Sequence, residues 1–248
     1  MEIFKFRLKY GISIRSNWNL ALRIWCLCAI LLLHSGLYAQ ESDFELWKAI
    51  EVKKGWGKDV TFSFEEQVRL NNNVSQFKSA FFDLGARYEL GKRARISLGY
   101  RYTNRLKSEG QRLYTDFSFK SRREFLNIEP AFRIRYQEDY EVGESAERSV
   151  RPKISIKTDV KPLRLSVSFA AELFYQLLTE GNQFDRYRFN FGLSYPLSNQ
   201  SSVTLAYLFQ EEFDVRNPLT SSIVSLSFSI ELYQYDLESR RRMPRVKR

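Results

Sequence analysis

From Phe44 to Leu232 apolar and polar side chains alternate one by one, and no stretch holds the 3.6-residue period of a helix for long. In ARISLGYRYTNR (94–105), Ala94, Ile96, Leu98, Tyr100 and Tyr102 share one face, and Arg95, Arg101 and Arg105 share the other. In DVTFSFEEQVRL (59–70), Val60, Phe62, Phe64, Val68 and Leu70 oppose Glu65 and Arg69. QFKSAFFDLGARYEL (76–90) sets Phe82, Leu84 and Tyr88 against Arg87, and EFLNIEPAFRIRYQ (124–137) sets Phe132 and Ile134 against Glu129, Arg133 and Arg135. LRLSVSFAAELFYQ (163–176) opposes Leu165, Val167 and Phe169 to Arg164 and Glu172, and FDRYRFNFGLSY (184–195) opposes Phe189 and Phe191 to Arg188. Period-two alternation is the geometry of a strand with one apolar and one polar face. Ten such segments run from Asp59 to Leu232, and a weaker one lies in FELWKAIEVKKGW (44–56).

Two kinds of connector take turns along the chain. GKR (91–93), the corner at Ser121, the Lys161–Pro162 corner and PLSNQ (196–200) are short. NNNVS (71–75), KSEGQ (107–111), YEVGESAER (140–148), TEGNQ (179–183) and DVRNPLTS (214–221) read as longer and more polar. Short turns at one end and longer loops at the other are how transmembrane barrels are built. The fold class expected is all-β, a transmembrane antiparallel up-and-down β-barrel of 10–12 strands. Ten strands would close with both chain ends on one side. Residues 44–56 as an eleventh would start the chain on the far side, unless that segment sits below or inside the barrel or a twelfth strand exists.

A soluble barrel with a dry core would alternate too. Segment length decides against it, because these runs exceed the roughly 5–6 residues of a typical soluble strand and reach the roughly 9–11 that a tilted membrane strand needs. Aromatics near segment ends, among them Tyr88, Tyr100, Tyr136, Tyr140, Tyr195, Trp47 and Trp56, suit girdles at the lipid–water boundary. An arginine on the lipid face would cost about 2–4 kcal/mol at mid-bilayer, which is why the charged set belongs inside. The lumen-lining candidates are Glu65, Arg69, Arg87, Arg95, Arg101, Arg105, Glu129, Arg133, Arg135, Arg164, Glu172 and Arg188.

The amino end carries Lys5, Arg7, Lys9, Arg15 and Arg23, then the apolar run IWCLCAILLLHSGLYA from Ile24 to Ala39. A basic start, a short apolar core and a small-residue exit read as a cleaved signal peptide over 1–39. That leaves an N-terminal segment or first strand at 40–58, a barrel at 59–232 and a basic tail at 233–248. Both cysteines, Cys26 and Cys28, and the sole histidine, His34, fall in the signal. Residues 40–248 therefore hold no thiolate nucleophile, no Cys/His zinc site and no histidine base, so an enzyme is not expected. No cofactor is expected either. The high pI reflects the signal and the six basic residues of the tail, since residues 40–239 balance at 28 basic against 28 acidic; nucleic acid is not an expected partner.

The start SDFELWKAIEVKKGWGKDVTFSFEEQVRLNNN, followed by LGARYELGKRARISLGYRYTNR, resembles the uncharacterised outer-membrane family termed domain of unknown function 2490, over nearly all of residues 42–232. The resemblance implies an outer-membrane β-barrel of a Gram-negative bacterium and carries no catalytic residues to transfer. Its implied partners are outer-membrane lipids and the barrel-assembly machinery. One departure is the end of the chain: SLSFSIEL is followed by YQYDLESRRRMPRVKR, not by the terminal aromatic usual in such barrels.

Barrels of this size have interiors mostly filled by side chains. The expected function is accordingly a narrow or plugged barrel with an Arg/Glu lumen and a structural, small-solute or binding role, a small anionic solute being the candidate ligand. The alternative is an outer-membrane enzyme that acts on lipid or peptide without a histidine base.

Overall fold

The computed structural model describes residues 41–121, 128–141, 143, 145–177 and 181–232; the expected signal segment and the basic tail lie outside them. Among the described residues eleven strands form the wall: β1 (Glu41–Trp56), β2 (Val60–Asn71), β3 (Gln76–Leu90), β4 (Ala94–Arg105), β5 (Glu109–Lys120), β6 (Ile128–Glu141), β7 (Glu147–Val160), β8 (Leu165–Leu177), β9 (Gln183–Pro196), β10 (Ser201–Glu212) and β11 (Leu219–Leu232). Each pairs antiparallel with its chain neighbours, and β1 pairs parallel with β11 to close the barrel.

The alternation read from the sequence sets the two faces. Large apolar side chains stand on the outside of the wall: Leu98 is 60 % exposed and Ile154 63 %, and Phe64, Leu84, Phe119, Phe191, Leu205 and Leu226 stand out similarly. Their neighbours in sequence turn inward, where Asp83, Asp116, Arg135, Arg151 and Glu172 are buried. A sheet with this apolar exterior crosses a bilayer only if every backbone group is paired, and closure achieves that.

The strand count falls within the expected 10–12, but the closure differs from the even, same-side arrangement. Residues 44–56 belong to a full wall strand, register-matched to β11 from Glu41 opposite Leu219 to Lys54 opposite Leu232. An odd number of strands requires one parallel pair. The first and last strands then run the same way, so the described chain enters at one mouth and leaves at the other. The first strand read weakly because its faces are mixed. Lys48 interrupts the outward set of Phe44, Ile50 and Val52, while Trp47 and Ala49 sit among the inward residues.

The mouth carrying residues 57–59, 91–93, 161–164 and 197–200 is called here the turn mouth, and the opposite end the loop mouth. Gly57 and Gly91 supply the positive φ (66° and 74°) that tight connections at the turn mouth require. The expected contrast in connector length holds at 142–146, 178–182 and 213–218 but not at 72–75, which matches 161–164 and 197–200 in length. Nor does it hold at 106–108, where β5 already begins at Glu109 and absorbs most of KSEGQ. The corner expected to be short at Ser121 falls in the interval 121–127 between β5 and β6, as long as the loops, of which 122–127 lie outside the described residues.

Candidate functional site: the charged lumen

Inward side chains enclose a cavity of about 540 Å³ reaching from mid-barrel to the loop mouth. Among the described residues ten cationic side chains line it (Arg69, Arg101, Arg105, Arg112, Arg133, Arg135, Arg151, Lys153, Arg186, Arg188), against seven acidic ones (Glu51, Glu65, Asp83, Asp139, Glu141, Glu147, Glu172). The volume falls in the range of small-molecule sites, about 300–1,000 Å³.

Most of these charges are paired across neighbouring strands. Arg135 donates through Nε and Nη2 to the two oxygens of Asp116 at 2.7 and 2.8 Å, a bidentate fork. Arg101 Nε donates to Asp83 at 2.7 Å, Arg112 Nε to Asp139 at 2.5 Å and Arg105 Nη1 to Glu141 at 3.0 Å. Glu172 is a hub. Its carboxylate accepts from Arg133 Nη2 at 2.6 Å, lies 3.1 Å from Arg151 Nη2 and stands 3.9 Å from Arg188 Nη1. Taking one acid out of such a web leaves a cation without its counter-charge, so the web fixes the shape of the lumen as much as its charge.

Four aromatic rings interleave with the arginines. Arg69 lies over Trp47 at 3.9 Å and over Phe81 at 4.9 Å, and Arg101 covers Phe81 at 3.8 Å. Arg135 covers Tyr114 at 3.8 Å, and Arg151, Arg186 and Arg188 gather around Phe174 at 4.2, 5.2 and 5.1 Å. A guanidinium on an aromatic face is held by the ring quadrupole as well as by its hydrogen bonds. Two irregularities in strand register fall beside this belt, at Arg69/Leu70 and Phe174/Tyr175. Bulges re-aim the side chains next to them.

Trp47 corrects the sequence reading. It is not part of an interfacial girdle: it is 6 % exposed, faces the lumen, and donates its indole N–H to Glu45 at 2.8 Å. Phe81, Tyr114 and Phe174 were likewise missing from the lumen set. The signal was present, because each occupies the register of the polar face: Phe81 precedes Asp83 by two, and Phe174 follows Glu172 by two. Of the expected lumen residues, Glu65, Arg69, Arg101, Arg105, Arg133, Arg135, Glu172 and Arg188 all line the one cavity. Arg87 and Arg95 lie nearer the turn mouth, Arg87 Nε standing 3.9 Å from Glu89. Glu129 and Arg164 are not in the central network. Glu129 is exposed near the turn mouth opposite Lys157, and Arg164 sits just before β8 with φ 51°, lining a shallow hollow there. Lys161–Leu163 forms a 3-10 turn, so the strand expected from Leu163 starts at Leu165, and Arg164 lies at the turn mouth just before it, beside Lys157, Asp159 and Ser166.

The family described as "Protein of unknown function (DUF2490)" matches residues 44–219. The chain belongs to that family. No curated protein matches this DUF2490 member. Among solved structures, a NanC porin superposes with a TM-score of 0.51 at 13 % identity, covering 77 % of this chain and 99 % of the porin. That likeness shows the fold, a transmembrane β-barrel. OmpT of Vibrio cholerae (TM-score 0.38, 10 % identity, 62 % of this chain and 54 % of that one) and an anion-selective porin from Comamonas acidovorans (0.37, 9 %, 71 % and 54 %) are more distant barrels.

Proposed function

We propose that this DUF2490 protein resides in the outer membrane of a Gram-negative bacterium as a narrow barrel, rigidified by its ion-pair web, whose loop-mouth cavity favours small anionic solutes. One observation carries the reading: among the described residues the cavity is lined by ten cations and seven acids. Clefts lined by an excess of one sign raise the local concentration of the opposite ion. The apolar exterior supports insertion among lipids, and export and insertion would use the signal segment and the barrel-assembly machinery. The reading includes no catalytic step. Turnover of phospholipid or peptide by the purified barrel would displace it in favour of an enzyme lacking a histidine base.

Planar-bilayer recording across a KCl gradient tests the proposal. The expected result is a small conductance whose reversal potential marks preference for chloride. A cation-selective reversal potential overturns it, as does a folded barrel that neither conducts nor binds any anion. Localisation is tested separately by membrane fractionation with heat-modifiable gel mobility, where recovery in the soluble periplasmic fraction is the contrary outcome.

A further inference from the structure

The positive excess of the cavity is unevenly placed. Arg101, Arg112, Arg133, Arg135 and Arg186 each have a carboxylate oxygen within 2.9 Å, and Arg105 and Arg151 have one within 3.1 Å. Among the described residues Arg69, Arg188 and Lys153 do not, and Arg69 and Arg188 are the two with a guanidinium fork. Arg69 gives its Nε–H to the amide oxygen of Gln67 at 2.6 Å. Arg188 gives both Nε and Nη2 to one oxygen, that of Gln210, at 3.1 and 2.5 Å, and its Nη1 stops 3.9 Å short of Glu172.

These two side chains also share a ring. Their guanidinium carbons lie 3.9 and 5.5 Å from the centroid of Trp47. Two like charges are thus held at a single indole, and both residues line the cavity. The nearby acids are committed elsewhere. Glu45, wholly buried, takes the indole of Trp47 and the ammonium of Lys78 at 2.6 Å, and Glu172 takes Arg133 and Arg151. Glu65 is on the strand and face of Arg69 but four residues away, about 13 Å at 3.3 Å per residue. The other arginines that line this cavity each meet a carboxylate within 3.1 Å. Over Trp47, among the described residues, none comes that close.

Resting on the anion-favouring reading above, we infer that Arg69 and Arg188, which share Trp47, form a clamp for a compact dianion of the phosphate class. A single guanidinium fork already matches a monocarboxylate. Two forks that share one ring match a group with three acceptor oxygens and close to two negative charges, which a phosphate or its monoester carries near neutral pH. The surrounding volume leaves room for the organic part of an ester.

Calorimetric titration of the full chain in detergent micelles with inorganic phosphate, glycerol phosphate and acetate tests the clamp. Both phosphates are expected to bind, and acetate at least about tenfold more weakly, in line with loss of one charge-assisted contact. Glycerol phosphate binding tighter than inorganic phosphate names an ester as the source, and equal binding names free phosphate; either supports the clamp. Arg69→Gln and Arg188→Gln should each weaken phosphate about tenfold or more. Arg112→Gln makes the same change of charge on the same cavity but removes an arginine already paired to Asp139, and should weaken phosphate far less. Arg69→Lys keeps the charge without the fork and should behave like Arg69→Gln. Heat-modifiable mobility confirms that each variant is folded. Absence of phosphate binding by the parent, or equal losses in all three Gln variants, overturns the clamp. A barrel that is still anion-selective in bilayers but binds no phosphate removes the clamp alone, whereas lost selectivity removes the broader reading.

Discussion

Tyr114 and Gly99 face each other across the β4–β5 ladder, and the tyrosine ring fills the place that a β-carbon on residue 99 would take. From there its hydroxyl donates to Asp83 at 2.6 Å and its face supports Arg135. The missing side chain at 99 therefore lets one aromatic ring join two ion pairs on opposite sides of it. Gly99→Ala should push the ring off both partners, because the collision is with the ring itself. The expected cost is about 1–3 kcal/mol, the range for overpacking. Urea unfolding of the barrel in lipid vesicles measures it, and Tyr114→Phe, which removes only the hydroxyl, should cost less.

The bidentate Asp116–Arg135 pair predicts an asymmetric pair of losses. Asp116 is 8 % exposed and Arg135 9 %. Asp116→Ala strands a buried guanidinium and should destabilise by about 3–5 kcal/mol, whereas the double variant Asp116→Ala/Arg135→Met removes the unmatched charge and should recover much of that. A double-mutant cycle read by the same unfolding assay decides it. Equal stability of single and double variants would show that water in the lumen already serves Arg135.

Much of this barrel was legible in the sequence because a one-residue period is a strong constraint. A strand such as Ala94–Arg105 has no other way to keep Leu98 away from Arg101. Parity could not say how the inward residues meet, since Glu172 reaches across β7 to Arg133, two strands away. Nor could polarity mark the inward rings. Trp47 and Phe174 are apolar residues in polar register, and they are inside because arginines cover them. Arg164 lies at the turn mouth and not in the central cavity because a 3-10 turn delays β8.

The face assignment makes its own prediction. Leu98 stands outward near the middle of β4, and Thr103 on the same strand lines the cavity. Leu98→Arg should lower stability in vesicles by about 2–4 kcal/mol, the cost of arginine at the bilayer midplane. Thr103→Arg, whose guanidinium meets lumen water, should cost clearly less. Reversal of that order would place the lipid on the wrong side of the sheet.

Glu172 links the ion-pair web to selectivity. It is the one acid held by Arg133 and Arg151 together, with Arg188 beyond, so Glu172→Gln releases positive charge without changing the size of the side chain. Two effects should appear together: a reversal potential shifted further toward anions, and lower resistance to unfolding. Arg133→Gln should shift the potential the other way. If neither variant moves it, the hub lies off the path of the ions.

The parallel closure is the feature least expected of a barrel of this kind, and cross-linking tests it directly. In the parallel register Val52 stands opposite Ile230, both outside the polar lumen set. Cysteines placed at 52 and 230, with Cys26 and Cys28 changed to serine, should therefore form a disulfide on mild oxidation, since bridged Cα atoms lie about 4.4–6.8 Å apart. Moving the second cysteine from 230 to 226 displaces it by four residues, about 13 Å along the strand, and should abolish the bridge. An antiparallel seam, or a twelfth strand between β1 and β11, predicts the opposite for the first pair: no bridge, because the two positions would no longer be neighbours. Efficient closure of the 52–230 pair with failure of the 52–226 pair fits a wall of eleven strands, in which the unpaired N–H and C=O groups of two edges answer each other and leave none to lipid.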